Sequence, residues 1–173
     1  MNKYALTTNT KDVNDVTLYQ IQALRDFADI KAGDLGGYVE TESNLDQQGD
    51  CWVSENACVS ENACVSENAG VSGNARVSGN ARVSGHACVS GNACVSGNAC
   101  VSGYAGVSGY AGVSGYACVS GYAGVSGYAG VSGNAGVSGN ACVSGLYRDW
   151  ETDRKSTRLN SSHSGESRMP SSA

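Results

Sequence analysis

Three residue types in this chain could do chemistry, and their spacing narrows what that chemistry is. His86 is the one histidine before residue 148; an imidazole there could act as a general base if a substrate lay within reach and a second group oriented the ring. The eight cysteines, at 51, 58, 64, 88, 94, 100, 118 and 142, include no Cys-x-x-Cys pair of the kind that builds a zinc site or a thioredoxin-like centre, so no metal site is expected. Tyr104, Tyr110, Tyr116, Tyr122 and Tyr128 recur every six residues in VSGYAGVSGYAGVSGYACVSGYAGVSGYAG, residues 101–130. They could present ring faces to a carbohydrate or another planar ligand, although small-molecule sites are usually concave with convergent polar groups.

Positioning any of these groups falls to a repeat. From Val53 to Val143 a valine recurs every six residues without a miss, followed by Ser, then Glu or Gly, then Asn, His or Tyr, then Ala, then a variable residue. Asn-Ala-x-Val-Ser alternates with period two, so Ala and Val share one face and the variable residue takes the other. Ser-Gly-Asn supplies a turn, because Gly and Asn accept positive φ more readily than other residues. One such strand cannot bury its own Val and Ala, but units wound into a coil stack on one another and make a continuous apolar interior. The phase extends backwards, with Tyr38, Asn44 and Asp50 in the Asn column and Val39, Leu45 and Cys51 in the Ala column. One phenylalanine, 24 glycines and a single proline argue against a core of large interlocking side chains.

V-S-G-N-A-x resembles the hexapeptide repeat of left-handed parallel β-helix proteins, the bacterial transferase hexapeptide superfamily, over roughly residues 35 to 145. The resemblance implies an all-β fold, a single-stranded left-handed triangular solenoid with three hexapeptides per coil, in which residue i stacks on i+18; ordinary parallel crossovers would have suggested the opposite hand. Under that rule the variable column divides into three outward faces. One carries Cys58, Arg76, Cys94, Gly112 and Gly130, the second Cys64, Arg82, Cys100, Cys118 and Gly136, and the third Gly70, Cys88, Gly106, Gly124 and Cys142. Cys100 and Cys118 are adjacent within a face, at a rung spacing of about 4.8 Å that is compatible with a disulfide. Thiols standing parallel off a sheet fit the required dihedral poorly, and free thiols are expected in a reducing compartment. Tyr104 and Tyr122 fall on one corner, Tyr110 and Tyr128 on another, and Tyr116 on the third.

The resemblance also implies an activity, acyl transfer with a histidine base and acyl-coenzyme A lying between neighbouring subunits. His86 is its sole candidate base, placed at a coil corner between Asn68 and Tyr104 with no inserted loop to wall a pocket. Zinc-dependent carbonic anhydrases of the same architecture need three histidines, which excludes that activity here. Ice binding fits poorly too, since the hydroxyls are corner serines and the face centres hold Gly, Cys or Arg. The expected function is therefore a non-catalytic structural or binding scaffold without a cofactor, with acyltransferase as the alternative. Drift accounts for the tyrosines without selection for a site: Asn, His and Tyr codons differ in the first base alone, as do those of Cys, Gly and Arg.

Charge adds a further constraint. Residues 1–147 carry six basic and twelve acidic side chains, and residues 83–147 carry none of either sign. No basic patch exists for nucleic acid or anionic lipid, while an uncharged Gly-rich shaft lacks the charges that keep sheet surfaces apart, so self-association is expected. No apolar run is long enough to cross a bilayer, and the start has no signal-peptide core, so the expected compartment is the cytoplasm. The head, YQIQALRDFADIKAGDLGGYVETESNL, resembles the start of uncharacterised phage and bacterial hexapeptide-repeat proteins, which makes virion association conceivable. Residues 1–40 are expected to cap the first coil, with Tyr19, Ile21 and Ala23 alternating in a strand, Gly33, Gly36 and Gly37 in turns, and Leu24, Phe27 and Ile30 over the coil. Residues 41–145 form the solenoid, and residues 146–173, without periodicity and resembling translated adapter sequence, are expected to be disordered and non-native.

Overall fold

The computed structural model describes residues 2–145, so the expectation for the C-terminal tail lies outside the described residues. The chain is a β-solenoid. β1 (Tyr4–Val13), β2 (Val16–Ala23) and β3 (Leu35–Val39) precede a single 3-10 turn (Glu42–Asn44) and sixteen short strands, one per hexapeptide, from Trp52–Val53 to Cys142–Gly145. The short strands stack in parallel into three sheets, of which one has six rungs and another five. The third is extended to eight strands because β1, β2 and β3 add to its first rung.

Each hexapeptide attaches to the coil above through backbone bonds. In the unit around His86, the His86 N–H donates to Gly103 O at 2.7 Å, Cys88 N–H to Ala105 O at 2.9 Å and Ser90 N–H to Val107 O at 2.9 Å. The side chains between these bonds are apolar and point inward: Val53, Val59, Val65, Val83, Val89, Val95, Val101 and Val107 are all 0 % exposed. Strands two residues long are sufficient because the unit is stabilised by its neighbours above and below. The turn residue is the third of the unit. Gly103 has φ +71°, and Glu55, Glu61 and Glu67 hold the same column at 58°, 59° and 60°, so the Asn column needs no left-handed backbone.

The head differs from expectation in four respects. First, the phase is shifted: Tyr38 pairs with Cys58, Val39 with Val59 and Leu45 with Val65, an offset of twenty, so Val39 and Leu45 occupy the Val column and not the Ala column. Trp52 pairs with Gly70 at the regular offset of eighteen, which places the two extra residues in the loop after Leu45. Second, Gly36 and Gly37 lie inside β3, where a Cβ would meet Ile21 and Val53 side chains at 2.6–2.7 Å; close packing excludes a side chain there. Gly33, at φ +96°, does sit in a turn. Third, Leu24 is 46 % exposed, while Phe27 is buried edge-on to Trp52 at 5.3 Å and Ile30 packs against the core. Fourth, a bulge between Leu6 and Thr10 breaks the alternation of β2, burying Leu18 and exposing Tyr19.

Under the first coil lies a buried cation. Lys3, 0 % exposed, donates from Nζ to Cys51 O at 2.9 Å, to Cys51 Sγ at 3.1 Å and to the carbonyls of Gln48 and Gly49 at 3.3 and 3.4 Å. Tyr4 donates its hydroxyl to Glu42 O and Leu45 O at 2.8 and 2.7 Å, and Asn44 Nδ2 donates to Glu61 O and Ala63 O. Carbonyls that would otherwise be orphaned at the end of a coil thereby receive donors. The hairpin β1–β2 turns through Asn14 and Asp15, both at positive φ, as two-residue hairpin loops require.

Candidate functional site

Register places the residues with chemistry on corners and faces, and from Trp52 onward the offset of eighteen holds in every strand pair. On one corner the His86 ring lies flat on Tyr104, centroids 4.7 Å apart and planes 5° from parallel, and Tyr104 lies on Tyr122 at 5.0 Å and 6°. Tyr110 stacks on Tyr128 at 4.9 Å on the second corner. Tyr116 stands on the third and is 69 % exposed. The stack is dictated by backbone spacing: identical residues on successive rungs must either stack or diverge, and rings of one rotamer stack. Asn occupies the same columns in earlier coils, where Asn74 donates to Asn92 at 3.4 Å and Asn80 to Asn98 at 3.1 Å. The extension of the tyrosine stack by His86 follows from the shared column and could have been read from it.

His86 is exposed and spends one ring face on Tyr104, and no carboxylate or carbonyl among the described residues orients its nitrogens. The nearest acid in sequence phase, Glu67, accepts instead from the Gly85 N–H at 2.7 Å. A concavity lined by Asp12, Asn14, Asp15 and Thr17 sits at the hairpin tip, and neither His86 nor any of the five tyrosines lines it. The tyrosines remain divided among three corners, as the repeat predicts.

The faces carry the thiols. Cys100 is flanked in register by Arg82 on one side and Cys118 on the other. Burial raises the Cys100 thiol above its ordinary value, and its neighbour Cys118 adds to the rise, while Ser102 and Arg82 oppose it. All eight cysteines are free in the structure. Cys58, expected on an outward face, is buried because Lys11 reaches over it, Nζ to Sγ 3.8 Å. Burial raises the Cys51 thiol as well, against the opposing pull of Lys3. Among the described residues no three His, Cys, Asp or Glu side chains gather to hold a metal ion. No described helix is long and apolar enough to cross a membrane.

Comparison with known proteins adds one short match. The chain is 46% identical over 39 residues to an Escherichia coli (strain K12) protein described as an uncharacterized acetyltransferase, YdcK. The matched segment is 22% of this chain and spans 12% of that relative's length. No family model matches the chain. The repeat, the solenoid and this match together fit a hexapeptide-repeat protein.

Proposed function

We propose that this protein is a non-catalytic scaffold that works through the outside of its shaft, and that its first partner is another copy of itself. The observation that supports this reading most is the state of His86, stacked on Tyr104 with neither an orienting group nor a concave wall. An enzyme needs its base held against a substrate; a scaffold needs only a regular surface. That surface is available: residues 83–145 carry no charged side chain, and the exposed tyrosines are their largest outward groups. Flat Gly-rich rungs at Gly106, Gly112 and Gly130 have open space beside them, so a second shaft can approach closely. Without like charges to keep two shafts apart, apolar and aromatic contact decides the outcome.

The acetyltransferase relative supports a second reading, acyl transfer from an acyl-coenzyme A donor with His86 as base. Two measurements on the purified chain separate them. Sedimentation velocity from low to high micromolar concentration is expected to show a concentration-dependent increase in mass, and a persistent monomer would refute the scaffold reading in its self-associating form. Calorimetric titration with acetyl-coenzyme A is expected to give no heat of binding; saturable binding lost in His86→Ala would establish the alternative.

A further inference from the structure

The second face holds a constellation that the scaffold reading leaves unused. Cys100 and Cys118 pair directly across adjacent rungs in register, on the same outward face. No other exposed thiol has a thiol neighbour within its column. Cys88 lies between Gly70 and Gly106, Cys94 between Arg76 and Gly112, and Cys142 beside Gly124.

A covalent bridge fits this pair poorly. The rung spacing of about 4.8 Å lies within the Cα range of a disulfide, but thiols standing parallel off neighbouring strands do not meet its dihedral of about 90°. Reaching it would pull on rungs held by the bonds from Cys100 N–H to Ala117 O and Ser102 N–H to Val119 O, both 2.9 Å. Two metal–thiolate bonds of about 2.3 Å end to end reach about 4.6 Å, close to the rung spacing. Soft thiolate pairs select soft cations.

We propose that Cys100 and Cys118 form a two-coordinate site for one thiophilic monovalent cation, Cu(I) or Ag(I), with Arg82 as its counter-charge. Two thiolates contribute a charge of −2, the cation +1 and Arg82, next in register to Cys100, another +1, so the site is neutral when filled. Loading exchanges the two thiol protons for the cation and releases both to solvent, with no change of oxidation state. Entry is open from the Gly136 side, where nothing lies within 4 Å of a Cβ position. A divalent metal would leave a surplus charge beside Arg82 and would lack the further ligands it prefers.

The test is anaerobic titration of the reduced full chain with Ag(I) or Cu(I) against a chromogenic chelator, followed by alkylation of unprotected thiols and peptide mass spectrometry. One equivalent per chain is expected to be held, with Cys100 and Cys118 protected together. Cys100→Ser or Cys118→Ser should abolish that retention, Cys94→Ser and Cys142→Ser should leave it unchanged, and Arg82→Ala should weaken it while Arg82→Lys restores most of it. Because all these positions lie on the outer faces, thermal unfolding of each variant should match the parent and confirms that the fold is intact. Protection spread evenly over the exposed thiols, retention by Cys118→Ser, or cation-dependent dimers in sedimentation would each overturn the site. So would a Cys100–Cys118 disulfide forming readily in air, because it would show that the two thiols can meet the dihedral of a bridge.

Discussion

Gly103 and Gly106 are the third and sixth residues of one hexapeptide, Val101–Gly106, and replacing each with alanine should change stability in opposite directions. Gly103 turns the corner at φ +71°, and an added Cβ would lie 3.0 Å from both N and O of Gly121 in the next coil. The left-handed backbone costs an L-residue about 1–2 kcal/mol. Crowding against backbone that cannot retreat without stretching the 2.8 Å bond from Tyr104 N–H to Gly121 O adds roughly another 1 kcal/mol or more. Alanine's smaller loss of chain entropy returns about 0.5 kcal/mol, leaving Gly103→Ala destabilised by about 2 kcal/mol. Gly106 lies in a strand, outside the left-handed region, with nothing within 4 Å of its Cβ position, so Gly106→Ala should stabilise by about 0.5–1 kcal/mol. Glu55, Glu61 and Glu67 show that the corner cost is finite: side chains are carried there at φ 58–60°, and Glu67 is compensated by the Gly85 N–H. Urea unfolding followed by far-ultraviolet circular dichroism reads both changes as shifts in midpoint at unchanged slope. Equal shifts, or the same sign at both positions, would refute the assignment of the third residue of each unit as the corner.

Two further perturbations address the core and the cap. Val101→Ala removes the equivalent of two methylenes from a fully buried site, about 1.6 kcal/mol of transfer free energy before any cavity contribution, whereas Val137, 9 % exposed, should lose less; the same urea titrations rank them, and an equal loss at both would contradict the burial gradient. Burial raises both the Tyr4 hydroxyl and the Cys51 thiol, so the folded chain holds protons that the unfolded chain gives up. That contribution is fully present below the ordinary thiol value of 9.0 and is lost as pH rises through it, and then through the ordinary phenol value of 10.0. The urea midpoint should fall progressively above about pH 9, less steeply in Tyr4→Phe, and a midpoint that stays flat would count against the buried hydroxyl.

The solenoid was legible because its information is periodic: valine every six residues fixes the strand, the corner and the inward face together, and stacking at eighteen then follows for Cys100 on Cys118 and Tyr104 on Tyr122. The first coil was misread because Val39, Leu45 and Cys51 keep a six-residue spacing while the chain inserts two residues between the second and third of them. What compensates for the insertion is Lys3, whose ammonium collects carbonyls from the inserted loop, some forty-five residues away in sequence. No local pattern announces such a contact, and a lysine near a terminus is ordinarily read as solvated. Gly36 and Gly37 were misassigned for a related reason: glycine signals a turn or a close approach equally well, and only the neighbours Ile21 and Val53 decide between them. For the candidate site, position was readable and state was not. That His86 shares a column with the tyrosines follows from counting, but its lack of an orienting partner depends on where Glu67 directs its carboxylate.

Stacking at eighteen has an evolutionary consequence. Loss or gain of three hexapeptides together leaves every later residue on its own face, whereas loss of one unit rotates everything downstream by a third of a turn. The core would not register the event, because every unit offers the same Val and Ala to the interior. The outside would be rewritten: removing residues 107–112 would carry Cys118 to a different face from Cys100 and Tyr122 off the Tyr104 corner. Slippage between near-identical repeats thus permutes surface chemistry in whole-face steps while the fold stays the same, so closely related chains can differ in what they display without differing in how they stand.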